Sequence, residues 1–124
     1  MKKQHKPVNF EDPRGTIRDI MVDSPVDHIT LITSSPGVVR GNHYHRHTTQ
    51  YTYILTGEAE YHSASGQDPV QVERLGPGDF IESPPLEHHA VKALTDMTML
   101  AIARGPRGGE EYESDTYRER TLCE

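Results

Sequence analysis

The stretch Gly37–Gly57, GVVRGNHYHRHTTQYTYILTG, decides how this chain is read. It carries His43 and His45, two residues apart. Successive side chains of a β-strand point to opposite faces, so both imidazoles share one face. Four residues separate His45 from Gln50, enough for a tight connection into the next strand. That strand, Tyr51–Thr56, ends at Gly57, which opens a turn with Glu58. Two imidazoles on one strand and an amide on its neighbour can converge on a point the size of a metal ion, and imidazole suits zinc, iron, nickel and copper.

Working outward, a second stretch, Gly78–Val91 (GDFIESPPLEHHAV), offers a third imidazole from His88 or His89. These two are adjacent and face opposite ways on a strand. His88 shares its face with Ala90 and Lys92, and His89 shares its face with Val91 and Ala93. Lysine is almost never fully buried unpaired, which makes the Lys92 face the outer one and His89 the inward residue.

The two stretches resemble the two cupin motifs. The first motif runs G, five residues, H-x-H, three or four residues, E, six residues, G; Gly37, His43, His45, Gln50 and Gly57 fall at those spacings, with Gln in place of Glu. The second runs G, five residues, P-x-G, two residues, H, three residues, N; Gly78, Pro84 and His89 match, while Leu86 and Ala93 replace the glycine and the asparagine. The resemblance covers about Val8 to Arg104. It implies one divalent metal ion (zinc, nickel, iron or manganese) on His43, His45 and His89, with Gln50 either a fourth ligand or a hydrogen-bond partner of a ligand histidine. Three neutral imidazoles and a neutral amide leave such an ion's charge uncompensated, which favours an anionic ligand in the open positions.

The rest of the chain fits an all-β fold. Short runs rich in β-branched and aromatic residues, at Thr16–Val22, Val26–Thr33, Tyr51–Thr56, Ala59–His62, Val70–Leu75, Phe80–Ser83, His89–Leu94 and Met97–Ala103, alternate with Gly/Pro/Asp turns. No apolar spacing of three and four persists over three turns, so no helix is predicted. Eight or nine such strands read as a sandwich or barrel, which the cupin resemblance narrows to a single jelly-roll β-barrel. With 124 residues the chain is expected to form one domain, 1–124, with the barrel over about 8–104 and a polar tail over 105–124. Residues 1–7 are expected to be a loose arm.

Composition excludes several classes. The net charge of −6 argues against nucleic acid as a partner. No apolar run reaches membrane-spanning length and the basic start, MKKQHKPVNF, has no apolar leader segment, so no membrane partner is expected. A single cysteine, Cys123, rules out an internal disulfide framework and fits the cytoplasm. His5, His28 and His62 are expected in solvent, and His47 touches the site only if its strand runs on past Arg46. If Gln50 points inward, Thr52 and Ile54 do too, and Tyr51, Tyr53 and Leu55 form an apolar outer row. Such a row calls for a cover, and a homodimer, the usual cupin outcome, is expected to supply it.

Two further stretches resemble sugar-processing cupins. Phe10-x-Asp12-x-Arg14-Gly15-x-Ile17 is similar to a segment near the start of dTDP-4-dehydrorhamnose 3,5-epimerases, and Val39-Arg40-Gly41-Asn42-His43-Tyr44 is similar to their V-x-R-G-x-H-Y stretch. That resemblance implies anion binding by Arg14 and Arg40 and a base-like role for His43. The string R-G-N-H-Y-H also resembles the C-terminal cupin of capsular-polysaccharide sugar reductases, which bind zinc there and end near an Asp-Thr-Tyr like Asp115-Thr116-Tyr117. The tail is therefore expected to pack on the barrel. The leading function is a metal-dependent isomerase or epimerase acting on a small polar or anionic, sugar-derived or carboxylated substrate, with the metal as Lewis acid. The alternatives are an Fe-dependent dioxygenase and a non-catalytic metal- or sugar-binding module.

Overall fold

Alternation between inward and outward side chains builds two antiparallel sheets, seen in a computed structural model that describes residues 1–105 and 115–124. Among the described residues eleven strands follow one another: β1 (Lys2–His5), β2 (Phe10–Asp12), β3 (Gly15–Ile17), β4 (His28–Ser34), β5 (Val39–His43), β6 (Thr49–Thr56), β7 (Ala59–Ser65), β8 (Gln71–Leu75), β9 (Asp79–Ser83), β10 (Glu87–Ala93) and β11 (Met97–Arg104). One sheet has the order β1-β9-β6-β11-β4, the other β5-β10-β7-β8, and β2-β3 form a separate ribbon. This is an all-β jelly roll. Among the described residues there is no helix, and none long and apolar enough to cross a membrane.

The inward faces meet in an apolar cluster of Ile54, Ala59, Tyr61, Leu75, Ile81, Val91, Ala93, Met97 and Met99. Gly57, the last residue of the first motif, has φ +84°, and a Cβ there would lie 2.2 Å from the Asp96 carbonyl oxygen. Only glycine fits where the β6–β7 turn meets the β10–β11 turn. The second motif's glycine position holds Leu86 instead, at φ +74°. That backbone costs a leucine on the order of 1–2 kcal/mol. The turn is held in part by the Leu86 amide, which donates to the His45 carbonyl at 2.6 Å and ties the two motif loops together.

Three expectations need correction. Residues 1–7 are not a loose arm: β1 pairs antiparallel with β9, Lys2 opposite Glu82 through His5 opposite Asp79. The polar KKQH string gave no apolar signal, but an edge strand needs only backbone pairing. The strand expected over Thr16–Val22 stops at Ile17, and the chain then crosses the outer face of the five-stranded sheet. There Ile20 and Met21 pack on a second cluster of Tyr51, Tyr53, Phe80 and Ile102. Tyr51 and Tyr53 are therefore buried, 8% and 5% exposed, by their own chain. The outer tyrosine row needs no second subunit to cover it.

Candidate metal and anion site

His43 ends β5 and lies directly opposite His89 on β10. Residues opposite one another in a ladder share a face, so both imidazoles point between the sheets. His45 follows β5, and Gln50 reaches in from β6 of the facing sheet. The four side chains are buried, and the potential ligand atoms of the three histidines lie within 4.8 Å of one another. The ring centroids are 4.8 Å apart for His43–His45, 4.7 Å for His43–His89 and 5.3 Å for His45–His89. His88 points the other way, buried under the Tyr44 ring at 4.6 Å. His47 is exposed and outside the site. His5 pairs with Asp79 at 2.9 Å, and His62 lies 3.4 Å from Glu60.

The donor chemistry fits a cation. His45 Nδ1 is 2.7 Å from the Asp115 carbonyl oxygen, an acceptor only, so Nδ1 carries the proton in the neutral ring. Its Nε2 then presents a lone pair to Gln50 Oε1 at 3.2 Å. The Gln50 amide nitrogen is turned to Thr52 Oγ1 at 3.4 Å, which leaves the oxygen facing His45. Two lone-pair atoms facing each other repel, and a shared divalent ion relieves that repulsion. His43, His45, His89 and Gln50 are thus the residues that would hold it.

Asp115 was not among the residues singled out as functional. Its carboxylate is buried and accepts from the Arg46 amide (3.0 Å), the His47 amide (2.8 Å) and Thr48 Oγ1 (2.8 Å). Burial pushes its carboxyl up, but those bonds outweigh burial and hold it below the usual carboxylate range. One residue of the tail thereby shapes the whole His45–Thr48 loop. The only hint in the sequence was its place in Asp115-Thr116-Tyr117.

A cavity of about 340 Å³ opens beside the histidines, lined among others by His43, Gln50, His89, Arg40, Thr30 and Arg118. Simple alternation sets Arg40 on the face opposite His43. The ladder shows why it is not: His89 pairs with His43, but Ala90 pairs with Gly41, so Asn42 is an extra residue in a β-bulge. Gly41 has φ +97° and Asn42 +56°, and a Cβ on Gly41 would lie 2.8 Å from the His89 carbonyl oxygen. Past the bulge Arg40 pairs with Val91 and rejoins the His43 face. Its Nε donates to Ser34 Oγ at 2.8 Å and its Nη2 to the Thr33 carbonyl at 2.9 Å.

Arg14 is not brought to this cavity. It sits on the β2–β3 ribbon with its side chain 85% exposed, donating through Nε (2.9 Å) and Nη2 (2.6 Å) to Asp12. The tight turn satisfies this guanidinium locally and holds it away from the barrel. Tyr44 and Tyr61 do not line this cavity. Tyr44 donates to Glu119 at 2.9 Å, and Tyr61 is wholly buried against Ser83, where burial raises its phenol far above the ordinary value.

The Cupin domain family profile matches residues 30–103. The chain is a cupin. Its fold is also that of several solved sugar-processing proteins. QdtA, a sugar 3,4-ketoisomerase from Thermoanaerobacterium thermosaccharolyticum solved in complex with TDP, superposes with a TM-score of 0.79 at 18% identity, over 95% of this cupin and 87% of that chain. The dTDP-4-dehydrorhamnose 3,5-epimerase of Sulfolobus tokodaii gives a TM-score of 0.68 at 19% identity, over 77% and 65%. In sequence, 50 residues of this cupin are 34% identical to UDP-2-acetamido-2,6-beta-L-arabino-hexul-4-ose reductase of Pseudomonas aeruginosa. That match spans 40% of this cupin and only 13% of the reductase.

Proposed function

We propose that this cupin is a metal-dependent enzyme of the isomerase or epimerase type, acting on a small anionic, sugar-derived or carboxylated substrate. One observation carries the reading: three imidazoles and an amide oxygen converge, and His43, His89 and Gln50 of that set line a cavity that Arg40 also lines. A divalent ion there supplies Lewis-acid polarisation of a carbonyl. The chain's own residues bind and orient. Arg40, steadied by Ser34 and Thr33, offers its remaining N–H groups to a carboxylate or phosphate. The apolar wall of Ile32, Val39, Val91 and Met99 excludes water from one side of the ligand. The size suits a single sugar ring, at the small end of ligand pockets. The solved sugar-nucleotide enzymes of the same fold support the substrate class.

His43 cannot act as a base while its lone pair binds a metal. Its role as a base belongs to the metal-free alternative, and one experiment separates the two. Protein loaded with zinc, nickel, iron or manganese is incubated in D₂O with keto-sugar nucleotides and small keto-acids, and exchange next to the carbonyl is followed by NMR. The expected result is deuterium incorporation that a chelator abolishes. Exchange insensitive to the chelator favours His43 as a metal-free base. No exchange with any substrate leaves a binding module.

We further propose a homodimer, on a different apolar surface from the tyrosine row. Ile29 and Leu31 on the edge strand β4 are 64% and 63% exposed, beside Leu100 on β11. Light scattering at micromolar concentration should give twice the 14.0 kDa chain mass, with Leu31→Glu shifting it to one chain. A wild-type mass of one chain would rule the dimer out.

A further inference from the structure

The metal-site residues come from two facing sheets. His43 and His89 lie on β5 and β10 of one, and Gln50 lies on β6 of the other. Between the sheets is an apolar cluster, to which Tyr61 itself belongs. Apolar packing is non-directional. A hydrogen bond, in contrast, holds its two atoms within narrow limits of distance and angle. Tyr61 makes such a bond across the gap. It stands on β7 of the first sheet, and its hydroxyl is hydrogen-bonded to Ser83 Oγ on β9 of the second. Both side chains are buried, Tyr61 completely. This phenol reaches both halves of the site. Its ring centroid lies 6.1 Å from that of His89, with the planes 19° apart. Its partner Ser83 stands directly opposite Gln50 in the β6–β9 ladder, on the same face. Neither Tyr61 nor Ser83 lines the cavity.

We infer that Tyr61 is a positioning residue of the metal site: through Ser83 it sets the spacing of the two sheets and holds Gln50 Oε1 against the histidine cluster. The inference rests on the metal site proposed above and not on any reaction. The histidines have shorter ties of their own. His43 and His89 face each other in one ladder, and His45 follows His43 by two residues in the chain. Gln50 shares no ladder with them. Its amide oxygen, 3.2 Å from His45 Nε2, is a neutral ligand, and a small retreat of its sheet would take it out of reach of a shared ion. Ladder pairing makes β6 and β9 move together, so a bond made to Ser83 is transmitted to Gln50.

The test uses the full chain, stripped with a chelator and dialysed. Calorimetry reads zinc affinity, and urea denaturation reads the stability of the metal-free protein. Tyr61→Phe keeps the ring and removes the hydroxyl. It should weaken zinc about tenfold, the low end of the range for groups that orient metal ligands. Gln50→Ala should cost a similar factor. Because the hydroxyl acts through Gln50, the double variant Tyr61→Phe/Gln50→Ala should lose about tenfold and not about a hundredfold. Ser83→Ala should match Tyr61→Phe, and it carries the same test should Tyr61→Phe not fold. Ser83→Thr, which keeps a hydroxyl, should recover most of the loss seen in Ser83→Ala. Tyr53→Phe removes a buried phenol hydroxyl that accepts from Arg18 on the outer face, and should lower stability alone. Wild-type zinc affinity in Tyr61→Phe and Ser83→Ala, with only urea stability lowered, overturns the inference. Losses that multiply in the double variant, or full affinity in Gln50→Ala, overturn it too and leave a three-histidine metal site standing. A wild type that takes up no zinc also overturns it, and uptake of nickel, iron or manganese then tells whether the metal site itself survives.

Discussion

Replacing His43 and His45 together by alanine should abolish divalent-metal binding and leave the jelly roll folded. Both histidines belong to the buried cluster of three seen among the described residues, so the double variant keeps only His89 and the neutral Gln50 of that site. Binding of a four-ligand zinc site is worth about 10–16 kcal/mol in small structural sites, and two ligands hold far less than half as usefully because the chelate is lost. Affinity should therefore fall by several orders of magnitude. The fold should survive because the core of Ile54, Tyr61, Leu75, Ile81 and their neighbours contains neither histidine. Thermal melts separate the two effects. Zinc should raise the wild-type midpoint with concentration, as any ligand of the native state does, and should not move the variant. Metal analysis after dialysis gives the direct count. A double variant that retains one ion per chain would place the metal elsewhere, and a wild type that takes up no zinc, nickel, iron or manganese would end the metal reading.

The second large effect is expected at Asp115, far from the motif histidines in sequence. Asp115→Ala strips acceptors from the Arg46 and His47 amides and from Thr48 Oγ1, of which Thr48 is fully buried. Unpaired buried donors cost about 1–3 kcal/mol each, and water can reach some of this loop, so a loss of about 3 kcal/mol is expected. Urea denaturation of metal-free protein measures it. The same substitution loosens the backbone carbonyl that orients His45 through Nδ1. Removing the groups that orient a metal ligand typically costs 10–100-fold in affinity, and zinc titration should show a loss in that range. Asp115→Asn keeps one acceptor oxygen but turns an NH₂ group toward a donor, so it should fall between wild type and alanine. Unchanged stability and zinc affinity in Asp115→Ala would mean that the tail merely rests on the barrel.

The strand alternation was enough to separate His89 from His88 and to send Gln50, Thr52 and Ile54 inward, whereas His45 joins His43 from just past the end of β5. Each of these is a local statement, set by a period of two within one strand. Turn residues such as Gly57 and Gly76-Pro77-Gly78 marked where strands end, because backbone conformation there is also local. Facts that depend on which distant backbone lies alongside were not legible. One extra residue at Asn42 reverses the facing of everything before it, and so carries Arg40 to the His43 side. A glycine at 41 permits that bulge without announcing it. Tyr51 and Tyr53 looked like an outer apolar row, and so they are on their own sheet, but Ile20 and Met21 cover them from a segment with no strand pattern of its own. Lys2–His5 joins a sheet through backbone bonds that leave no mark in side-chain polarity. Asp115 and Arg118 act across some seventy residues, through hydrogen bonds and a cavity wall that exist only once the barrel has closed. Local periodicity determined the strands and the facing of the histidines; the tertiary structure decided what covers the barrel, what orients His45 and which arginines line the cavity.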